Sequence, residues 1–162
     1  MASTLTVDNI VGATTAATVK LPAGHIVQVV HSTFNTQVYK ASTSMGTTGH
    51  SATITPKFST SKILISHKGT VYNEGNNLHQ YRTIYRGGSN LAPSTEGLTL
   101  HSAGASSSGR WSSIGFDYLD SPSTTSATTY TIHYRGNNGS NNTYYCYGAN
   151  YPQVLVLLEI AQ

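Results

Sequence analysis

Gln153-Val-Leu-Val-Leu-Leu-Glu-Ile-Ala-Gln162 reads as a strand without a solvent face. Val154, Val156, Leu158 and Ile160 fall on one side and Leu155 and Leu157 on the other, because successive strand residues alternate between faces. An apolar strand on both sides must be covered on both sides. One face is expected to enter the core of a sandwich. The other needs a second surface, such as an identical neighbouring subunit, so Val154, Leu155, Val156, Leu157 and Leu158 are the candidate subunit interface. The pattern points to an oligomeric structural module more than to an enzyme.

Outward from this strand the chain has no long stretch of helical period with caps at both ends. Period-2 segments separated by turn residues recur instead. They are His25–Thr33, Ser51–Thr55, Lys62–Tyr72, His79–Arg86, Gly97–Ser102, Arg110–Leu119, Ala127–Arg135, Thr143–Tyr147 and the closing strand. Ile63, Ile65, His67 and Val71 share one side of the third, while Tyr81, Thr83 and Tyr85 oppose Arg82, Ile84 and Arg86 in the fourth. Strands at this short spacing predict a single all-β domain, an antiparallel β-sandwich of the jelly-roll type, over residues 23–162. Residues 1–22 read as an extended leader that docks on a partner, on neighbouring subunits or on the domain's own flank. Ser102–Gly109 and Gly136–Asn142, rich in Gly, Ser and Asn, are expected to be exposed loops.

The 162 residues suffice for one domain with its own core. Only 9% are charged, against roughly 25% in ordinary soluble domains, so hydroxyls and amides must solvate the surface. The net charge is +3, but the basic residues are scattered singly, whereas nucleic-acid binding needs a clustered basic face. Nucleic acid is therefore not expected as a partner. Cys146 is the only cysteine, which excludes an intrachain disulfide framework. The opening Met1–Val11 lacks a basic leader and an apolar signal core, and no apolar run has the length of a membrane span. Synthesis in a cytoplasm is expected, without membrane insertion, and the sequons Asn138-Gly-Ser140 and Asn141-Asn-Thr143 carry little meaning on that route.

Seven histidines show no metal-site spacing and no Cys or carboxylate cluster accompanies them, so no metal or cofactor is expected. A ring of one histidine from each of three subunits, drawn from His25, His31 or His67, is the alternative to histidines satisfied locally. For catalysis, Asp117 with Glu96 or Asp120 is the conceivable carboxylate pair, although Asp120 before Ser121-Pro122 reads more simply as a turn cap. No nucleophile elbow or phosphate-cradling loop is present. Binding has better support. Arg110 and Trp111, with Tyr144, Tyr145, Tyr147 and Tyr151, lie near loops that carry Asn141 and Asn142. Aromatic faces pack on sugar rings while Arg and Asn bond hydroxyls, so Arg110, Trp111, Asn141, Asn142 and Tyr145 are the candidate glycan or receptor site. Tyr144 and Tyr145 must face opposite ways.

Three segments carry a resemblance. They are Ser3–Ile10 leading to Pro22–Val30, then Tyr118-Leu-Asp-Ser-Pro-Ser-Thr-Thr-Ser126, and the ending Val156-Leu-Leu-Glu-Ile-Ala161. Together they resemble small structural proteins of tailed bacteriophages, particularly those of marine and freshwater bacteria, cyanophages among them. The resemblance implies a virion component, most often a tail fibre or appendage with a trimeric head built as a tumour-necrosis-factor-like jelly roll. In the leading reading the leader attaches this homotrimer to other virion proteins or to the preceding subunits, and Asn, Ser and aromatic residues on its loops contact a host surface, a glycan being the candidate ligand. Capsid decoration or shell assembly is the second reading, and a lectin-like polysaccharide depolymerase the third.

Overall fold

The computed structural model describes residues 22–74, 77–102 and 109–162; the leader, Pro22 apart, and most of the 102–109 loop lie outside them. The described chain forms eleven strands: β1 (Ile26–Phe34), β2 (Val38–Lys40), β3 (Gly46–Ile54), β4 (Lys62–Asn73), β5 (His79–Arg86), β6 (Ser89–Asn90), β7 (Thr99–Ser102), β8 (Arg110–Asp120), β9 (Thr128–Gly136), β10 (Thr143–Cys146) and β11 (Gln153–Ile160). In the first sheet the long strands lie in the order β1, β11, β4, β8, and the short β10 and β2 extend it where β11 ends. In the second, β3, β9 and β5 lie side by side, and β6 and β7 both pair with β5. Every pairing is antiparallel. Long connections alternate between the sheets, so each sheet is assembled from strands distant in sequence, the jelly-roll connectivity. Among the described residues no helix is long and apolar enough to cross a membrane.

The core lies between the sheets. Ile63, Ile65 and Val71 of β4, Leu155 and Leu157 of β11, Ile84 of β5 and Ile132 of β9 are almost fully buried there. The interior is also polar. Arg82 is fully buried and crosses from β5 to the opposite sheet. Its guanidinium donates to Gln80 Oε1 (2.6 Å), Gln153 Oε1 (2.9 Å) and the carbonyls of Thr70 (2.9 Å) and Tyr145 (3.1 Å), and lies 4.6 Å from the Tyr145 ring centroid. A buried charge is tolerated only when hydrogen-bonded, and here neutral amides and carbonyls do that work. Burial brings its pKa down to about 10, so it stays cationic at neutral pH. Gly69 leaves the space that the Gln153 carboxamide fills.

Two carboxylates complete the polar interior. Asp120 does not cap a turn as expected: it ends β8 facing inward, pairs with Arg86 at 2.6 Å and accepts from the Tyr130 hydroxyl at 2.6 Å. It thereby ties the first sheet to β5 and β9 of the second. Glu159, also buried, accepts from the backbone N–H groups of Lys57 (2.8 Å) and Phe58 (3.2 Å) and from Gln28 Nε2 (2.5 Å). It fixes the β3–β4 connection against β11.

β1 lies at an edge of the first sheet, with only alternate side chains facing inward. β3 begins five residues earlier than its apolar pattern suggests, and β2 and β6 carry too few residues to show a period. Removing the Arg82 side chain strands acceptors on both sheets. Arg82→Met is therefore expected to cost about 3 kcal/mol or more of unfolding free energy, read as a lower urea midpoint; an unchanged midpoint contradicts this account of the core.

Candidate functional site

The outer face of the first sheet gathers the exposed apolar side chains. Antiparallel register sets Val29 and Leu64 beside Leu158, His31 and Ser66 beside Val156, and Leu119 beside Leu64. Val154, Val156, Leu158 and Ile160 all point outward and are half-buried, while Ile26 (55% exposed), Val29 (58%) and Leu119 (48%) stand clear. These residues make one end of the face aliphatic, the end where Gly24 and His25 join the sheet through hydrogen bonds to Ala161. Of the five candidate interface residues, Val154, Val156 and Leu158 are available to a partner. Leu155 and Leu157 are not: both are fully buried in the sandwich's own core.

The other end of the same face is aromatic. Tyr72 on β4 stands between Trp111 (ring centroids 4.7 Å apart) and Tyr144 (5.5 Å), with Tyr147 above it at 4.6 Å. Trp111 also meets Tyr151 at 4.3 Å, and Tyr39 meets Tyr144 at 5.4 Å. The tilted and edge-on geometries are those that aromatic quadrupoles favour. The cluster follows from register, since Tyr72 pairs with both Trp111 and Tyr144, and Tyr144 with Tyr39. Glu74 sits at its edge, accepting from the Tyr144 hydroxyl at 2.8 Å and from Asn142 Nδ2 at 3.4 Å. Burial and this bond to a carboxylate push the Tyr144 pKa up to about 12. Trp111, Tyr147 and Tyr151 remain 37–43% exposed, so the cluster presents ring faces with an acid and an amide beside them. Such a surface can stack a sugar ring and bond its hydroxyls.

The structure brings Trp111 and Asn142 together in this cluster, with Arg110 exposed at the neighbouring position of β8 and Asn141 exposed in the adjoining loop. It removes Tyr145. That ring is fully buried, with its hydroxyl bonded to His50 Nδ1 (2.6 Å) and His67 Nε2 (3.0 Å); its neighbour Tyr144 takes the outward place. Tyr39, Tyr72 and Glu74 were missed. Only the pairing of β4 with β8 and β10, and of β10 with β2, reveals them, although Tyr72 lies near the end of a strand whose core face was legible and Glu74 just past it.

His67 is likewise interior, so its side chain cannot contribute to a ring at a subunit axis, whereas His31 lies on the outer face. Among the described residues no group of three His, Cys, Asp or Glu side chains is arranged to hold a metal ion. The conceivable acid pair does not assemble: Asp117 faces out and Asp120 faces in, while Glu96 pairs with Arg135 of the second sheet at 3.1 Å.

No protein-family profile and no curated protein matches the chain. Solved structures do: one titled as the infectious bursal disease virus Gx strain (13% identity, TM-score 0.42) and one titled as the T13 IBDV viral particle (14%, 0.45). Each match covers 85% of this chain, which spans 38% and 36% of those longer chains. At these scores neither bears on function, and the jelly roll rests on the strand order itself.

Burial lowers the pKa values of His50 and His67, with Arg82 adding to the effect in both. The folded protein thus binds protons on both less readily than the unfolded chain, where they titrate near the ordinary 6.5. Below that pH the unfolded state binds more protons, so stability falls. The unfolding midpoint is expected to drop between about pH 6.5 and pH 5, and His67→Gln is expected to flatten that slope. An identical slope in the variant would remove His67 as its source.

Proposed function

We propose that this chain is a non-enzymatic virion structural protein that packs against copies of itself through the aliphatic half of the first sheet's outer face. The observation that carries this is the continuity of Ile26, Val29, Leu64, Leu119, Val156 and Leu158 across four adjacent strands, each exposed or half-buried among the described residues. An apolar surface of that kind marks an interaction site, and a head-to-tail contact between identical chains closes into a symmetric ring when its rotation allows. Jelly rolls recur among capsid and lectin domains, which agrees with a particle-borne role without establishing one.

A homotrimer is the assembly that the tail-fibre resemblance implies. In that arrangement the leader, entering at the aliphatic end, attaches the subunits to other virion proteins. The aromatic end, about 30 Å away along β8, becomes the distal tip that meets a host-surface glycan. Capsid decoration is the second reading, with the same aliphatic face set against other coat subunits, and labelled protein located on the head instead of the tail favours it. The depolymerase reading has least support, since the acids that it needs are scattered over different faces.

Light scattering after size exclusion is expected to give the mass of about three chains, and Val156→Arg with Leu158→Arg is expected to give folded monomers. A wild-type monomer overturns the assembly. Trp111→Ala with Tyr147→Ala is expected to lower adsorption to host cells at least tenfold while the oligomer persists; full adsorption removes the glycan role from this end.

A further inference from the structure

The second sheet carries a cleft on its outer face that the assembly proposed above leaves in solvent. It holds about 560 Å³ between the β2–β3 loop and the turn after β6. The two walls touch where Met45 packs against Gly97, whose φ of +91° makes the turn possible. Tyr85 and Arg135 form the floor, and Thr43, Ser44, Asn90 and Thr95 the sides.

Arg135 is held in a fixed plane. Its guanidinium lies 3.8 Å from the Tyr81 ring centroid and donates to the Gly136 carbonyl at 3.1 Å. Its acidic partner is Glu96, and that carboxylate side chain is 62% exposed. An exposed ion pair contributes little, so an incoming carboxylate can replace Glu96 on a guanidinium already held in place. Asn90, which lines the cleft, spends its carbonyl oxygen on Thr83 and on the Ala92 N–H, which leaves its amide hydrogens without a partner among the described residues. Tyr85, stacked on His133 with ring centroids 3.8 Å apart, gives the floor a rigid aromatic edge.

We propose that this cleft binds an acidic saccharide, with Arg135 taking the sugar carboxylate and Asn90, Ser44 and Thr95 the ring hydroxyls. The aromatic end of the first sheet is its opposite in charge, since Glu74 there repels a uronic acid. A protein acid would also satisfy Arg135, but the small hydroxyl and amide lining matches a polyhydroxylated ring better than a peptide.

The test is calorimetric titration of the full chain with a trimer of galacturonic acid, with maltotriose and a Glu-rich peptide as the other arms. The acidic trimer is expected to bind, maltotriose at least tenfold more weakly, and the peptide not at all. Arg135→Gln is expected to weaken the acidic trimer at least tenfold. Glu96→Gln, which removes the internal competitor, is expected to tighten it about two- to fivefold, an effect no loss of folding can mimic. Trp111→Ala is expected to leave it unchanged. Absent binding, equal binding of maltotriose or the peptide, an indifferent Glu96→Gln or dependence on Trp111 overturns the proposal. The oligomer mass of the same samples tests the assembly separately, so a monomer that binds the acidic trimer sinks the first reading and leaves this one standing.

Discussion

A buried cation without a carboxylate partner among the described residues organises this sandwich. No described acid neutralises Arg82, so its surroundings must supply acceptors at set positions. Gln80 lies two residues along the same strand, and Gln153 reaches across from β11 through the space above Gly69. The Thr70 and Tyr145 carbonyls close the set. Its backbone is committed too, since the Arg82 carbonyl accepts the Leu98 N–H at 2.8 Å. A Cβ at Gly97 would stand 2.6 Å from that same oxygen. The side chain that joins the sheets thus belongs to the residue that positions the turn walling the cleft.

The surface follows from this interior. Tyr145 is pinned inward by its carbonyl, by the guanidinium beside its ring and by two histidines on its hydroxyl. Strand alternation then sends Tyr144 and Thr143 to opposite sides, and Tyr144 completes the aromatic group around Tyr72. The same alternation on β11 puts Leu155 and Leu157 inside and Val156 and Leu158 outside. The two outer faces of the sandwich consequently differ in kind. One is aliphatic at one end and aromatic at the other, with His31, Ser66 and Asp117 between; the other is polar, with its aromatic rings engaged by Arg135 and His133.

What was legible in the sequence depended on how strongly each segment alternated. β4, β8 and β11 announce themselves because most of their inward residues are large and apolar or aromatic, whereas β5, with Gln80 and Arg82 inward, shows through the Tyr81, Thr83 and Tyr85 of its other side; β5 and β11 begin and end where the pattern does. The first half of β3, Gly46-Thr-Thr-Gly-His, has no such residues and is a strand only because β9 pairs with it. Parity alone set Tyr144 and Tyr145 on opposite faces, yet it could not say which was inside. That choice belongs to Arg82 and the histidines, partners 63 or more residues away. Tyr39, Tyr72 and Trp111 lie in three separate segments, so their meeting was invisible until register was known.

The central place of β11 sets the tempo of folding. It pairs on one side with β1, Ile160 against Ile26, and on the other with β4, Leu157 against Ile65. Closing the first sheet therefore joins segments that are 92 residues apart at Leu157 and Ile65 and 134 apart at Ile160 and Ile26, the kind of long loop whose entropy slows folding. Until residues 153–160 arrive, β1 and β4 expose bare backbone edges flanked by valine, leucine and isoleucine. Such edges are templates for pairing with the wrong chain. Productive maturation of this protein is thus a race between insertion of one strand and edge-to-edge association, and crowded nascent copies run it on the less favourable terms.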